Sequence, residues 1–105
     1  MIHVDVTRVS PDKAERLRSW LAEVQTRGEE ARVTLADEGV RHERALLVDT
    51  PAGPLLIYVL ECEDYDAARE AYARSARPID LEHKRVMSEV SGERVPAEVL
   101  LDIRA

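Results

Sequence analysis

Apolar and polar residues alternate at the start of the chain, where Ile2, Val4 and Val6 are separated by polar neighbours. This two-residue period predicts a first strand. Two later runs, 40–49 and 55–63, also have strand character, and the Thr-Pro-Ala-Gly-Pro sequence between them is typical of a turn. We therefore expect these two runs to form an antiparallel hairpin.

Helical spacing of apolar residues fills the stretch between the first strand and the hairpin. It predicts two helical pieces, from residue 11 to about residue 25 or 27 and over 29–38, with Gly28 interrupting them. The first piece begins at Ser10-Pro11-Asp12, where the serine can act as N-cap, the proline suits the first helical position and the aspartate complements the positive helix end. Gly39 is well placed to end the second piece, because glycine readily adopts the left-handed backbone of a helix C-terminus.

The second half of the chain continues in the same way. Asp64 offers an N-cap for a third helix, and a fourth helix is predicted over about 79–90. Near the C-terminus Val99, Leu101 and Ile103 alternate with other residues, which predicts a last strand.

The resulting order is β-α-β-β-α-β, with each helical region divided in two. We predict an α+β protein: one ferredoxin-like domain over 1–105, with a four-stranded antiparallel sheet and helices on one face. The alternating residues Leu56, Tyr58, Leu60 and Leu100 are interleaved with a second apolar set, so the open sheet face should also be apolar. Two such faces packed together would form a homodimer of the dimeric α+β barrel type.

Composition and charge exclude several classes of function. The 105 residues include 15 basic and 21 acidic side chains, and a net charge of −6 opposes broad binding to nucleic acid. No apolar stretch approaches the roughly 20 residues that span a bilayer, and the N-terminus does not resemble a secretory signal. Because the single Cys62 cannot form an internal disulfide, we expect a cytoplasmic protein with no membrane partner.

His83 is the most informative candidate for chemistry. In the last helix it lies on the same apolar stripe as Ile79, Val86 and Val90, so it should face the core or a cavity. Asp80 lies three residues earlier and could orient the imidazole for general acid or base catalysis. The alternative is a buried structural histidine, with Asp80 acting as the N-cap of its own helix.

Glu43 is the second candidate, and its orientation depends on which face of its strand is covered. If the face shared with Ala45 and Leu47 is covered, Glu43 lies under the helices and could pair with His83. If the opposite face, which carries His42, is covered instead, Glu43 is solvated. The strand pattern leaves both arrangements open.

Two aromatic residues are candidate ligand contacts. Tyr58 lies in the middle of a strand, where its hydroxyl could donate to a ligand or to a dimer contact. Trp20 lies at the edge of the first helix's apolar stripe and could contact the same ligand. The alternative for both residues is simple packing.

Metal and cofactor sites are not indicated. The histidines His3, His42 and His83 lie in separate elements without metal-binding spacing. No glycine-rich nucleotide loop or nucleophile elbow is present, so we expect no cofactor. The Asp37-Glu38 pair fits an ordinary solvated helix surface.

A set of residues from the first strand to the last helix carries a family resemblance. The most specific element is the sequence Ile-Asp-x-x-His over 79–83, followed by the large apolar Met87. The other residues are Arg8-Val9, Pro11, Lys13, Glu15-Arg16, Trp20, Thr34-Leu35, Glu38-Gly39 and Glu43.

With these residues the chain resembles a small family of uncharacterised bacterial and archaeal proteins of the dimeric α+β barrel type. The resemblance implies the fold and the dimer but no activity. It also implies where to look for a site, in the space between helices and sheet where Asp80, His83 and Glu43 could converge.

Two functions are consistent with these residues. The first is a non-catalytic module that binds a small ligand or a partner protein, and it is favoured because no complete catalytic constellation is visible. The alternative is a cofactor-free enzyme that performs acid–base chemistry on a small polar molecule around His83. A concave pocket at His83, large enough for a ligand, would favour a small-molecule site.

Overall fold

The computed structural model describes all 105 residues, and its elements follow the expected βαββαβ order with each helical region in two segments. A short 3₁₀ turn, Pro11–Lys13, precedes the first helix. No helix is both long enough and apolar enough to cross a bilayer. The strands and helices are β1 (Ile2–Val9), α1 (Ala14–Thr26), α2 (Gly28–Glu38), β2 (Val40–Thr50), β3 (Gly53–Cys62), α3 (Tyr65–Arg74), α4 (Pro78–Val90) and β4 (Ser91–Val95).

The four strands form one antiparallel sheet in the order β2-β3-β1-β4. Tyr58 pairs with Asp5 on one side and with Ala45 on the other, so these three side chains share one face. That face lies under the helices, because the Tyr58 hydroxyl contacts His83 of α4. Glu43 pairs with Leu60, two residues along β3 from Tyr58, and therefore belongs to the covered face.

The position of the last strand corrects the sequence prediction. The fourth strand is β4, where Ser91 pairs with Val9 and Val95 pairs with Val6. Residues 96–105 have no regular structure, so the strand expected around Val99 was placed too late. The prediction failed because β4 has little apolar alternation and is defined by its pairing with β1, a contact between distant parts of the chain.

Local signals at the helix ends explain most of the other boundaries. Gly39 ends α2 with a φ of +73°, the left-handed conformation expected there. Asp64 caps α3, accepting a hydrogen bond of 3.0 Å from the backbone N–H of Ala67. Ser10, by contrast, makes no side-chain cap bond, and Pro78 begins α4 at its first position.

The core consists of two separate apolar clusters. The larger one lies between the sheet and helices α1 and α4, and Leu17, Leu56 and Val90 are among its fully buried members. The smaller one contains Val40, Cys62 and Ala68 and lies between the sheet and α3. Members of both clusters line a cavity, so the helical layer does not close completely over the sheet.

The sheet face opposite the helices is apolar and uncovered, as the alternation predicted. We call it the outer face. Its exposed members include Ile2 and Val4 of β1 and Leu46 and Val48 of β2. Leu100, which the sequence assigned to an apolar sheet face, lies outside the sheet altogether.

Candidate functional site

A cavity of about 1130 Å³ lies between the helices and the covered face of the sheet. This volume is large enough for a small organic molecule. Its walls combine apolar side chains with a group of ionisable ones. Four candidates chosen from the sequence line the cavity, namely Glu43, Tyr58, Asp80 and His83. Two further ionisable residues, Glu38 and Tyr72, line it as well.

A chain of hydrogen bonds runs along one wall of this cavity. The indole Nε1–H of Trp20 donates to Nδ1 of His83 at 2.8 Å, and Nε2 of His83 lies 3.3 Å from the Tyr58 hydroxyl. Since an indole N–H can only donate, Nδ1 must be unprotonated and the neutral ring carries its proton on Nε2. Nε2–H can then donate to the Tyr58 oxygen, which leaves the Tyr58 proton free to donate to a ligand.

The protein environment favours the neutral form of His83. Burial lowers the pKa of its imidazole, and the negative charge of Asp80 opposes that effect only in part. Burial also raises the pKa of the Tyr58 phenol, with the charge of Glu43 as a further cause. At neutral pH both groups are therefore uncharged hydrogen-bond donors.

Asp80 does not orient His83 through a hydrogen bond as the sequence suggested, since Trp20 occupies Nδ1. Its buried carboxylate instead accepts hydrogen bonds from the hydroxyls of Thr34 in α2 and Ser75, which follows α3. It is not the N-cap of its helix either, because the helix begins two residues earlier. Asp80 thus joins three helical segments at the end of the cavity.

Glu43 and Glu38 are carboxylates held in an unfavourable environment for charge. The Glu43 side chain faces the open cavity and keeps contact with water, but the surrounding walls still raise its pKa, and the charge of Asp80 adds to this. Burial raises the pKa of Glu38 to about 7, with smaller contributions from the charges of Asp80 and Glu43. No hydrogen bond or ion pair joins Glu43 to His83, although both line the same cavity.

Several residues of the site were missed from the sequence. Glu38 is half-buried and lines the cavity, so its assignment to a solvated surface was wrong. Thr34 lies four residues before it, with its hydroxyl oxygen 3.2 Å from a carboxyl oxygen of Glu38, and this i,i+4 spacing was the available signal. Trp20 was expected at the ligand; it lies behind His83 and is almost completely buried.

Removing the indole donor should change the tautomer of His83. In the wild-type protein we expect ¹⁵N shifts typical of a protonated Nε2 and an unprotonated Nδ1. In Trp20→Phe the neutral ring should become a mixture of tautomers and its pKa should rise, because the neutral form loses a hydrogen bond. Two-dimensional ¹H–¹⁵N NMR of the imidazole over a pH series measures both effects.

Tyr72→Phe is the matched control for that experiment. The Tyr72 ring packs edge-on against His83 with 6.0 Å between ring centroids, and its hydroxyl makes no hydrogen bond with the imidazole. This variant should leave the tautomer unchanged. A neutral His83 that is protonated on Nδ1 in the wild type would contradict the hydrogen bond from Trp20 to His83.

The sheet order, the covered face and the cavity define a ferredoxin-like α+β protein with a pocket between its two layers. Within that class, the chain belongs to a family of unknown function, DUF6176, whose sequence profile matches residues 2–105. The expected resemblance to an uncharacterised family of this fold is thereby confirmed.

Solved structures support the same fold. The chain is similar to the tetracenomycin F2 cyclase of Streptomyces glaucescens, a type-II polyketide cyclase, with 22% identity and a TM-score of 0.63. The similarity covers 100% of this chain and 98% of the cyclase. It is also similar to a candidate antibiotic biosynthesis monooxygenase of Deinococcus radiodurans, at 15% identity and a TM-score of 0.51, over 99% and 98% of the two chains. A search of curated proteins found no match.

Proposed function

We propose that this protein binds a small molecule carrying a carbonyl group in the cavity and transfers a proton at the carbon next to that carbonyl. The observation that carries the proposal is the chain of hydrogen bonds that links Trp20, His83 and Tyr58. It ends in the Tyr58 phenol, whose proton is free to face the cavity. Glu43 is a diagonal cross-strand neighbour of Tyr58 on the same face, within reach of the same ligand.

The roles follow from the chemistry of each group. The Glu43 carboxylate accepts the proton from the carbon, the C–H electron pair forms the enolate, and the negative charge develops on the carbonyl oxygen. The Tyr58 hydroxyl donates a hydrogen bond to that oxygen, and Nε2–H of His83 donates a hydrogen bond to the Tyr58 oxygen. The protonated Glu43 then returns its proton to the same carbon or to a conjugated one. No electrons are gained or lost, so the step needs no cofactor.

The raised pKa of Glu43 suits this role. A carboxylate with an ordinary pKa is a weak base, and burial together with the charge of Asp80 raises the pKa of Glu43 and so makes its carboxylate a stronger base. Asp80 is a positioning residue in this scheme, because its hydrogen bonds to Thr34 and Ser75 hold the helices that carry the site.

The second candidate function is binding without turnover, in which the same polar groups recognise a ligand or a partner. The size of the cavity favours a small molecule over a purely structural role for these groups, because residues that only fasten helix to sheet would pack without leaving such a volume.

Exchange of carbon-bound protons for deuterium tests the proposal. We expect the protein to accelerate the loss of α-proton signals of two probe ketones, cyclohexanone and 2-tetralone, in D₂O, as followed by ¹H NMR. Glu43→Gln and Tyr58→Phe should each lower the protein-dependent rate on the order of 10²-fold, because one removes the base and the other a hydrogen-bond donor to the enolate.

Glu61→Gln provides the control, since Glu61 lies on the same strand as Tyr58 but on the outer face and is exposed. Its exchange rate should equal that of the wild type. Ketone-induced shifts of the His83 resonances without any exchange would support binding without turnover. Neither shifts nor exchange with both probes would contradict the proposal.

We also propose that two copies associate through their outer faces to form a homodimer. Exposed Ile2, Val4, Leu46 and Val48 form an apolar patch of the kind that usually contacts a partner. The single buried thiol, Cys62, is compatible with the reducing cytoplasm that we propose as its location.

A further inference from the structure

A second, smaller pocket of about 400 Å³ lies beside the cavity, between the C-terminal ends of α2 and α3. We call it the side pocket. It opens to solvent, because Asp37, Arg74 and Arg77 in its walls are exposed. Only Thr34 and Glu38 line both the side pocket and the cavity. These two residues therefore form the wall between them, and Glu38 is its only ionisable group.

The hydrogen bonds of Thr34 favour a proton on Glu38. The Thr34 hydroxyl donates to Asp80, whose carboxylate also accepts from Ser75. The same hydroxyl oxygen lies 3.2 Å from Oε2 of Glu38. A hydroxyl has one proton, and here Asp80 receives it, so a hydrogen bond between Thr34 and Glu38 needs a proton supplied by Glu38. The wall thus stabilises Glu38 as a carboxylic acid.

The charges around Glu38 keep that proton exchangeable near neutral pH. Burial raises its pKa to about 7, and the charges of Asp80 and Glu43 add to this effect. No cation pairs with Glu38, because Arg77 pairs with Asp37 and Arg74 pairs with Glu70. The ionisable groups that face it from the surrounding elements are Asp37, Glu43, Tyr72, Arg74, Arg77 and Asp80.

Glu43 reaches water only through the cavity. It lies on the covered face of the sheet, makes no hydrogen bond or ion pair, and lines the cavity with Glu38. A ligand that fills the cavity covers Glu43 and removes this contact with water. Glu38 keeps its contact with the side pocket in that state, because the side pocket opens separately to solvent.

We propose that Glu38 exchanges the proton of Glu43 with solvent while a ligand occupies the cavity. After Glu43 has taken a proton from the carbon, its O–H bond breaks and the proton passes to the ionised Glu38, directly or through one water molecule. Glu38 then releases this proton into the side pocket, and a solvent proton returns by the same route. No electrons are gained or lost. This inference rests on the proton transfer proposed above and adds to it the route by which that proton exchanges with solvent.

The test follows the fate of one proton in a ketone that can isomerise. Glu43 should remove a proton from C2 of cyclohex-3-enone and return one to C4, which gives cyclohex-2-enone. In D₂O, the deuterium fraction at C4 of the first product, measured by ¹H NMR, reports how often the proton exchanges before it returns. At pH 8, Glu38→Gln should lower this fraction roughly tenfold, because an amide cannot accept the proton. The glutamine amide can still donate to Thr34, so the wall keeps its hydrogen bond.

Asp37→Asn is the matched control. Asp37 precedes Glu38 in the same helix and lines the side pocket, but it does not line the cavity. This variant should have the deuterium fraction of the wild type at pH 8.

The wild type alone provides a second measurement. Its deuterium fraction should rise with pH, with a midpoint at about 7, because only ionised Glu38 can accept the proton. The ionisation of Glu43 sets the rate of isomerisation and cancels in this fraction. His83 is already neutral over this range, since burial lowers the pKa of its imidazole.

The outcomes separate this inference from the proposed function. Isomerisation with the same deuterium fraction in Glu38→Gln and in the wild type would overturn the role of Glu38 and leave the proton transfer by Glu43 in place. A wild-type fraction that stays constant with pH would do the same, even if the variant failed to fold. A wild type that neither isomerises the enone nor exchanges its C2 protons would overturn both.

Discussion

Replacing Leu56 with alanine should lower the free energy of unfolding by about 3 kcal/mol. Leu56 lies in the central part of β3, is only 1% exposed, and contributes to the larger apolar cluster. The loss combines the transfer free energy of the removed carbons with the cost of the space they leave, because the surrounding β-sheet cannot collapse into it. Urea unfolding followed by circular dichroism measures the change.

Two further variants give this measurement its meaning. Leu81→Ala should cost well under 1 kcal/mol, since its side chain is already half in water. His83→Ala should also cost less than Leu56→Ala if His83 belongs to a ligand site, because the cavity beside it is already open. A loss from His83→Ala as large as that from Leu56→Ala would instead favour a structural role for the histidine.

Replacing Glu38 with glutamine should stabilise the protein at alkaline pH and leave it unchanged in acid. Burial and the charges of Asp80 and Glu43 raise the pKa of Glu38 from 4.5 to about 7. A carboxyl whose pKa is raised by folding contributes its stability fully below pH 4.5, and that contribution is lost as the pH rises through about 7. At pH 8 the variant should therefore exceed the wild type by about 2 to 3 kcal/mol. The glutamine amide can donate a hydrogen bond to the Thr34 oxygen, whose own proton is donated to Asp80.

The informative quantity is the difference between variant and wild type across the pH range. His83 acts in the opposite direction, because its lowered pKa means that stability is lost as the pH falls below about 6.5. This contribution is common to both proteins and largely cancels in the difference. Urea unfolding at pH 4, 6 and 8, with Glu61→Gln as an exposed control, measures it. A difference that stays constant with pH would contradict the assignment of Glu38 to the cavity.

The sequence predicted the fold wherever local and tertiary preferences agree. Alternation identified β1, helical spacing identified the four helices, and the turn residues identified the hairpin between β2 and β3. At the C-terminus the two preferences separate. Residues 96–105 have the more regular alternation of a strand, but β4 pairs with β1, and pairing between distant segments cannot be predicted from one short stretch of sequence.

The sequence indicated several residues that line the cavity, but it did not indicate the hydrogen bonds between them. The apolar stripe of α4 predicted that His83 faces the core or a cavity, and His83 lines the cavity. The strand pattern left open which face of the sheet carries Glu43, and its pairing with Leu60 assigns it to the covered face. The bond from Trp20 to His83 depends on how α1 packs against α4, a contact 63 residues apart in the chain. No spacing rule within one helix could have indicated it.

The bond between Trp20 and His83 gives the protein a built-in optical reporter. Trp20 is the only tryptophan, so all of the indole emission arises from one residue in direct contact with the imidazole. Protonation of Nδ1 would remove the acceptor for the indole N–H and place a positive charge beside the ring. The wavelength and intensity of the tryptophan fluorescence therefore report the protonation of His83 without any added label.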